Sequence, residues 1–156
     1  MNWQQVCDDP TLKDLPFKIE LNSFGQIIMS PASNWHGSLQ LEIGARLRNL
    51  LPQGKSLAEC SIQTSDNVKV ADVAWLSDQF FSIHKFETPF TEAPEICVEI
   101  LSPSNSSAEM DLKRALYFGA GAKEVWECNQ DGVLSYYTAN GSIEQSIICP
   151  TFPQRM

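Results

Sequence analysis

Residues 95–103 read EICVEILSP, and this stretch decides how the rest of the chain is arranged. Five of the six residues from Ile96 to Leu101 are apolar, which is typical of a strand buried on both faces. Glu99 lies inside this run. An ionised carboxylate without a partner would cost several kcal/mol there. The sequence therefore predicts that another group compensates the charge of Glu99.

A second acid is embedded in the strand predicted for residues 68–76. Alternation along this strand places Asp72 on one face with Ala74, and Ala71 on the opposite face with Val73. Asp72 is therefore expected to lie mid-strand among apolar neighbours. Two such acids can each pair with a Lys or Arg, can be protonated, or can together hold a hard cation.

A helix is predicted directly after the EICVEILSP stretch. Ser106 and Glu109 match a capping box at its start, and apolar spacing extends the helix to about Ala120. Lys113 falls on the face that adjoins the buried stripe of this helix. It either brings a cation to the two acids or forms an ordinary surface pair with Glu109.

Two acids followed by a lysine form a donor set suited to phosphodiester hydrolysis. That chemistry needs carboxylates that hold Mg²⁺ and a cation near the attacking water or the developing charge. A backbone carbonyl beside Glu99, such as that of Ile100, often supplies another oxygen ligand in such sites. The residues alone leave ion pairing, protonation and a shared metal ion open.

The longest helix is predicted for residues 34–51, where apolar residues recur at helical spacing. His36 and Gln40 lie one turn apart beside the apolar stripe, near the start of this helix. Taken alone, His36 is more often a solvated residue of the first turn than a site residue.

Length and composition fit one globular domain over residues 1–156, with residues 150–156 expected to form a loose tail. The net charge of −8 argues against a passive nucleic-acid binder but not against an enzyme that approaches phosphates through divalent cations. The five cysteines are scattered, which argues against a zinc site or a disulfide framework. No run of residues suits a membrane span or a signal peptide, so a cytoplasmic protein is expected.

Several motifs, in order along nearly the whole chain, resemble those of one family. They are LPFKIEL at 15–21, MSP at 29–31 followed by His36, ADVA at 71–74, EILSPS at 99–104, Lys113 through Leu116-Tyr117, and GAKEVW at 121–126. This pattern resembles the Uma2 family of endonucleases, a branch of the PD-(D/E)xK, restriction-endonuclease-like superfamily. The resemblance implies an α/β fold with a mixed central β-sheet flanked by helices.

The resemblance also implies a Mg²⁺-dependent site, with Mn²⁺ as a substitute, in which Asp72 and Glu99 bind the metal. The superfamily lysine normally lies two residues after the second acid, where this chain has Leu101. Lys113 on the next helix is the lysine that fits its role. His36 and Glu20 are similar to additional polar positions of the family, and Gln40 is a weaker candidate. Ala71 replaces the proline of the motif, which removes no ligand.

We therefore expect a metal-dependent endonuclease that hydrolyses phosphodiester bonds in DNA, with a homodimer as a plausible way to cut both strands. One alternative is a catalytically inactive nuclease-like module that binds a partner or nucleic acid. A second is the same chemistry on RNA or on a structured junction. A third is a purely structural protein in which Lys113 neutralises Glu99.

Overall fold

A six-stranded mixed sheet forms the centre of the fold in the computed structural model, which describes residues 1–156. The elements are α1 (Trp3–Asp8), β1 (Phe17–Leu21), β2 (Ile27–Pro31), α2 (Asn34–Leu50), β3 (Gly54–Thr64), β4 (Asn67–Ser77), α3 (Asp78–His84), β5 (Ile96–Ile100), α4 (Ser107–Gly119), β6 (Glu124–Cys128), β7 (Leu134–Thr138) and β8 (Gly141–Ile143). The sheet order is β3-β4-β5-β6-β7-β8. The predicted mixed sheet with flanking helices is confirmed.

Strands β5 and β6 are the one parallel pair, and all their residues are buried. A parallel pair needs a crossover connection, and α4 supplies it. The remaining neighbours in the sheet are antiparallel. The apolar run around Glu99 therefore forms a strand in the middle of the sheet, as its pattern predicts.

Two apolar clusters cover the two faces of the sheet. Helix α2 contributes Leu39, Ile43 and Leu47 to a cluster that includes Trp126. Helix α4 contributes Tyr117 to the other cluster. The central strands are thus enclosed between helices, which is why the polar groups on them must find partners within the protein. None of the helices is both long and apolar enough to cross a membrane.

The hairpin of β1 and β2 lies outside the central sheet and packs against β4. The Glu20 carboxylate accepts a hydrogen bond from the backbone N–H of Val70 at 2.8 Å. The buried Lys69 ammonium donates to the carbonyl of Leu21 at 2.9 Å. These contacts hold β1 across β4, so that side chains of the hairpin reach the middle of the sheet.

The alternation predicted for β4 is interrupted at Asp72. Val73 packs in the α2 cluster, whereas Ala71 packs in the α4 cluster together with Ala74. On the paired strand, Glu59 has a φ of 53°, in the left-handed region. The ladder is paired on both sides of this position. The irregular backbone at Glu59 lies opposite Asp72 and explains why simple alternation assigns Ala71 to the wrong face.

The expectation of a loose C-terminal tail is wrong. Phe152 is only 4% exposed, and its ring lies 4.8 Å from that of Trp126, centroid to centroid. The backbone N–H of Leu134 donates to the carbonyl of Gln154, and that of Met156 donates to Gly132. Burial of one aromatic ring and these hydrogen bonds dock the segment onto β7 and the turn before it.

We predict that Phe152→Ala lowers the free energy of unfolding by about 3 kcal/mol, because it leaves a cavity beside Trp126. Urea unfolding followed by circular dichroism measures this change. Phe86→Ala is the matched control, since Phe86 is 91% exposed, and its effect should stay within about 0.5 kcal/mol. Equal effects of the two substitutions would mean that the tail contributes no packing.

Candidate active site

A cleft of about 790 Å³ opens above the junction of β4 and β5. Its lining includes the ionisable side chains of Lys18, His36, Asp72, Glu99 and Lys113. These residues come from β1, α2, β4, β5 and α4, respectively. The structure therefore brings together groups that are as much as 95 residues apart in the chain.

Asp72 and Glu99 lie beside each other on antiparallel strands, next to the Val73–Val98 pair. Asp72 is 1% exposed and Glu99 is 4% exposed. One oxygen of Asp72, Oδ2, accepts a 2.7 Å hydrogen bond from the backbone N–H of Ile100. Both acids are embedded in the sheet, as their sequence surroundings predict.

Lys18 lies between the two acids. Its Nζ is 3.0 Å from Asp72 Oδ1 and 3.1 Å from Glu99 Oε2, with Glu20 Oε1 at 4.0 Å. Sequence reasoning missed this residue. A signal was present, because Lys18 and Glu20 are two positions apart on one strand and share a face. Assigning Glu20 to the site should have brought Lys18 with it.

Lys113 also reaches the acids. Its Nζ is 3.1 Å from Glu20 Oε1 and 3.4 Å from Glu99 Oε2. It forms no ion pair with Glu109, whose carboxylate instead accepts a hydrogen bond from the Asn105 amide. The alternative of an ordinary surface pair on α4 is therefore wrong, and Lys113 converges with Glu20 and Glu99.

His36 contacts Asp72 from the start of α2. Ser33 caps this helix by accepting a hydrogen bond from the His36 backbone N–H, which places the imidazole in the first turn. His36 Nε2 lies 3.3 Å from Asp72 Oδ1. The imidazole is therefore not simply solvated, and the resemblance is the better guide to its location.

Gln40, one turn after His36, holds the backbone of Asp72. Its Nε2 donates to the Asp72 carbonyl at 2.7 Å and to Glu59 Oε1 at 2.7 Å. Glu59 was not predicted, and its left-handed backbone leaves no mark in the sequence. Together Gln40 and Glu59 fix the irregular position opposite Asp72.

Tyr117 completes the surroundings of Glu99. Its hydroxyl donates to Glu99 Oε1 at 2.6 Å, and the side chain is fully buried. Tyr117 follows Lys113 by four residues, so the two share a face of α4. That spacing, visible in the sequence, could have assigned Tyr117 to the site as well.

Comparisons with known proteins identify the family and a similar fold. The model of the Uma2 family, described as "Putative restriction endonuclease", matches residues 9–152. The chain belongs to the Uma2 family. Its structure is similar to the crystal structure of "a putative nuclease belonging to DUF820" from Anabaena variabilis ATCC 29413. The TM-score is 0.61 and the identity 19%, over 73% of this chain and 68% of that chain. This likeness shows the fold. No curated protein sequence matches the chain.

The two buried acids of the cleft, Asp72 and Glu99, differ in their protonation behaviour. Burial opposes the ionisation of Asp72, but Lys18, His36 and the Ile100 N–H outweigh it and lower its pKa. For Glu99 burial is stronger than the attraction of Lys113 and Lys18, so its pKa is raised. Two neighbouring carboxylates whose pKa values are pushed apart are typical of catalytic sites.

The charges of the ionisable side chains that meet in the cleft nearly cancel one another, and we call this group of side chains the cluster. Glu20, Asp72 and Glu99 supply three carboxylates, and Lys18 and Lys113 supply two ammonium groups. One negative charge remains, which His36 neutralises when it is protonated. The hydrogen bond to Asp72 raises the pKa of His36, although burial and Lys18 oppose this.

Two carboxylate oxygens in the cleft are of the type that binds a hard divalent cation. Asp72 Oδ1 and Glu99 Oε2 point at one position, and carboxylate oxygens are the ligands that Mg²⁺ prefers. That position is taken by the Lys18 ammonium, itself a cation. No three His, Cys, Asp or Glu side chains are arranged to hold an ion. The contact shown for Ile100 is through its N–H, so the predicted role of its carbonyl stays a prediction.

We predict that the imidazole of His36 titrates above the usual pKa of about 6.5, and that Asp72→Asn lowers this pKa. The chain has two histidines, so His84→Gln assigns the two signals in an NMR titration from about pH 5 to about pH 9. A His36 pKa that is unchanged by Asp72→Asn would contradict the contact.

The same contact predicts a pH dependence of stability. The folded state favours protonated His36, so the contact stabilises the protein fully below the ordinary pKa. This stabilisation is lost as the pH rises through the raised pKa of the folded state. The difference in unfolding free energy between wild type and His36→Gln should therefore shrink from about pH 5.5 to about pH 8.5. Urea unfolding at several pH values measures it, and a constant difference would contradict the prediction.

Proposed function

We propose that this chain is a metal-dependent nuclease that hydrolyses phosphodiester bonds in DNA, with Mg²⁺ as its metal and Mn²⁺ as a substitute. The observation that carries the proposal is the convergence of Asp72, Glu99 and Lys113 in one cleft. The three residues lie on three separate elements of the fold. A chance ion pair on the surface would not require such a convergence. Membership of the Uma2 family supports a nuclease, and the choice of DNA and of magnesium is part of the proposal.

The surroundings of each residue support a specific role in this proposal. Asp72 and Glu99 would hold the metal through Oδ1 and Oε2, with the Ile100 carbonyl as a further ligand. When bound, the metal supplies charge neutralisation at the phosphate and activation of a water molecule. Lys113 would orient that water or stabilise negative charge in the transition state, because its ammonium is held beside Glu99.

Two further residues would support this arrangement. Glu20 binds the Lys113 ammonium at 3.1 Å and so fixes its direction. His36 contacts Asp72 Oδ1 and would hold that carboxylate in position. The Glu20 carboxylate accepts a hydrogen bond from the backbone N–H of Val70 on β4, and the backbone N–H of His36 donates to the capping Ser33 hydroxyl.

The charge of the cleft bears on the substrate. The cleft is lined by two lysines and no arginine, and both lysines are paired with acids. Long duplexes are usually bound through many free Lys and Arg side chains. Contact with phosphate would therefore depend on the metal, and RNA or a structured junction remains a second candidate substrate. Cutting both strands of a duplex would call for a homodimer.

One observation favours the alternative of a catalytically inactive nuclease-like module that binds a partner or nucleic acid. Lys18 forms ion pairs with both acids. A protein that had lost its chemistry would need such an internal cation to keep the acids buried. The distinction rests on whether the acids bind a divalent ion.

Metal binding is the first test. We predict that calorimetric titration with Mn²⁺ detects a site in the wild-type protein and that Asp72→Asn removes it, because Asp72 supplies a ligand oxygen. Asp66→Asn is the matched control, since Asp66 is paired with Lys69 outside the cleft, and it should bind as wild type does. Absence of binding in the wild type would contradict the metal site and favour the inactive module.

Cleavage is the second test. Purified protein with Mn²⁺ is incubated with single-stranded, duplex and junction DNA and with RNA. We predict that Glu99→Gln and Lys113→Ala each lower the rate by about 100-fold or more, because each removes a group that acts on the reacting phosphate. Lys123→Ala, which removes an exposed lysine after α4, should leave the rate unchanged.

Two outcomes contradict the proposal. Failure to cut any of these substrates, in protein that binds metal, would reject nuclease activity. Cleavage that survives in both Glu99→Gln and Lys113→Ala would reject the mechanism. Sedimentation of the protein with and without duplex DNA reports whether a homodimer accompanies activity.

A further inference from the structure

Lys18 occupies the position towards which both acids direct their remaining oxygen. Asp72 uses Oδ2 to accept from the Ile100 N–H, and Glu99 uses Oε1 to accept from Tyr117. The other oxygens, Asp72 Oδ1 and Glu99 Oε2, lie 3.0 and 3.1 Å from Lys18 Nζ. The outer oxygens, Asp72 Oδ2 and Glu99 Oε1, thus have fixed donors. Lys18 is the cation that contacts both inner oxygens, while His36 contacts only Asp72 Oδ1 and Lys113 only Glu99 Oε2.

A metal ion and this ammonium group cannot share that position. An Mg²⁺ ion held by both inner oxygens would need the position that the ammonium fills, because both oxygens already contact Lys18 Nζ. The charges lead to the same conclusion, because the cluster is already neutral when His36 is protonated. A divalent ion therefore requires a cation to leave.

Lys18 is the cation best suited to leave. Its ion-pair partners are the three acids and no others, and its side chain lines the cleft. Four flexible methylene groups allow the ammonium to withdraw towards solvent while β1 stays in place. Lys113 can stay paired with Glu20.

We propose that Lys18 is a resident counter-ion that a divalent cation must displace. It stabilises the metal-free protein and weakens metal binding at Asp72 and Glu99. This inference rests on the proposed metal site. It makes Lys18 a residue that sets the concentration of metal at which the site is filled.

The first experiment compares Lys18→Met with wild type by calorimetric titration with Mn²⁺ and with Mg²⁺. The dissociation constant is expected to fall by about tenfold or more, because the ammonium that contacts both Asp72 Oδ1 and Glu99 Oε2 is gone, while Lys113 and His36 each contact only one of the two oxygens. The melting temperature without metal should fall, and metal should raise it by more than in wild type. Lys123→Met is the control, since Lys123 is exposed and lies outside the cleft.

The second experiment uses the wild-type protein and does not depend on a variant that folds. Lysines are acetylated with an amine-reactive reagent, with and without Mg²⁺, and the extent at each lysine is read by mass spectrometry. Acetylation of Lys18 is expected to rise several-fold with metal, because its ammonium leaves the buried cluster. Acetylation of Lys69 should not change.

The outcomes separate this inference from the proposed function. If wild type and Lys18→Met bind Mn²⁺ equally well and metal does not alter acetylation of Lys18, the metal site stands and the counter-ion role is rejected. If neither protein binds any divalent ion, the proposed metal site itself is rejected. Tighter binding in Lys18→Met but not in Lys123→Met, with metal-dependent exposure of Lys18, supports the counter-ion.

Discussion

The buried charge of Asp72 and Glu99 is the constraint on which the rest of the structure depends. Each acid lies within a sheet that is covered on both faces, where an unpaired carboxylate would cost several kcal/mol. Compensation comes from β1 through Lys18, from α2 through His36 and from α4 through Lys113. The sheet and these three elements therefore meet at one cluster of charges. The cluster forms only when β1, α2 and α4 are all in place on the sheet.

Glu124 shows that a carboxylate can be buried in this sheet without any cation. It is 1% exposed and accepts hydrogen bonds from the Trp126 indole, the Ser146 hydroxyl and the backbone N–H groups of Ile147 and Ile148. Fixed dipoles satisfy all of its hydrogen-bonding capacity, which suits a purely structural role. Glu99 instead depends largely on ammonium groups carried by long, flexible side chains. Such partners can be exchanged, and that difference separates a site from a structural carboxylate.

Much of this arrangement could be predicted from the sequence because buried acids are conspicuous in apolar strands. The apolar runs around Asp72 and Glu99 predict the two strands that carry these acids. The capping box at Ser106 predicts the helix that carries Lys113. Lys18 was missed because its one signal in the sequence is indirect: it shares a face of β1 with Glu20, and the residues around it do not themselves indicate burial. The tail was missed because Phe152 stands alone among polar and proline residues, and its pocket beside Trp126 exists only after folding.

Glu59 could not be predicted at all, and it explains how Asp72 is aimed. A non-glycine residue in the left-handed region costs about 1–2 kcal/mol, so the surrounding structure must hold it there. Gln40 does so by binding the Glu59 carboxylate and the Asp72 carbonyl at once.

His36, one turn earlier on the same helix, contacts the Asp72 side chain. Helix α2 thus fixes both the backbone and the carboxylate of Asp72. We interpret the strain at Glu59 as the cost of turning Asp72 towards the cleft. With regular alternation along β4, Ala71 and Val73 would lie on the same face of the sheet. A regular strand would not need the hydrogen bond between Gln40 and Glu59. This hydrogen bond therefore links the irregular backbone at Glu59 to the site around Asp72 and not to the packing of the sheet.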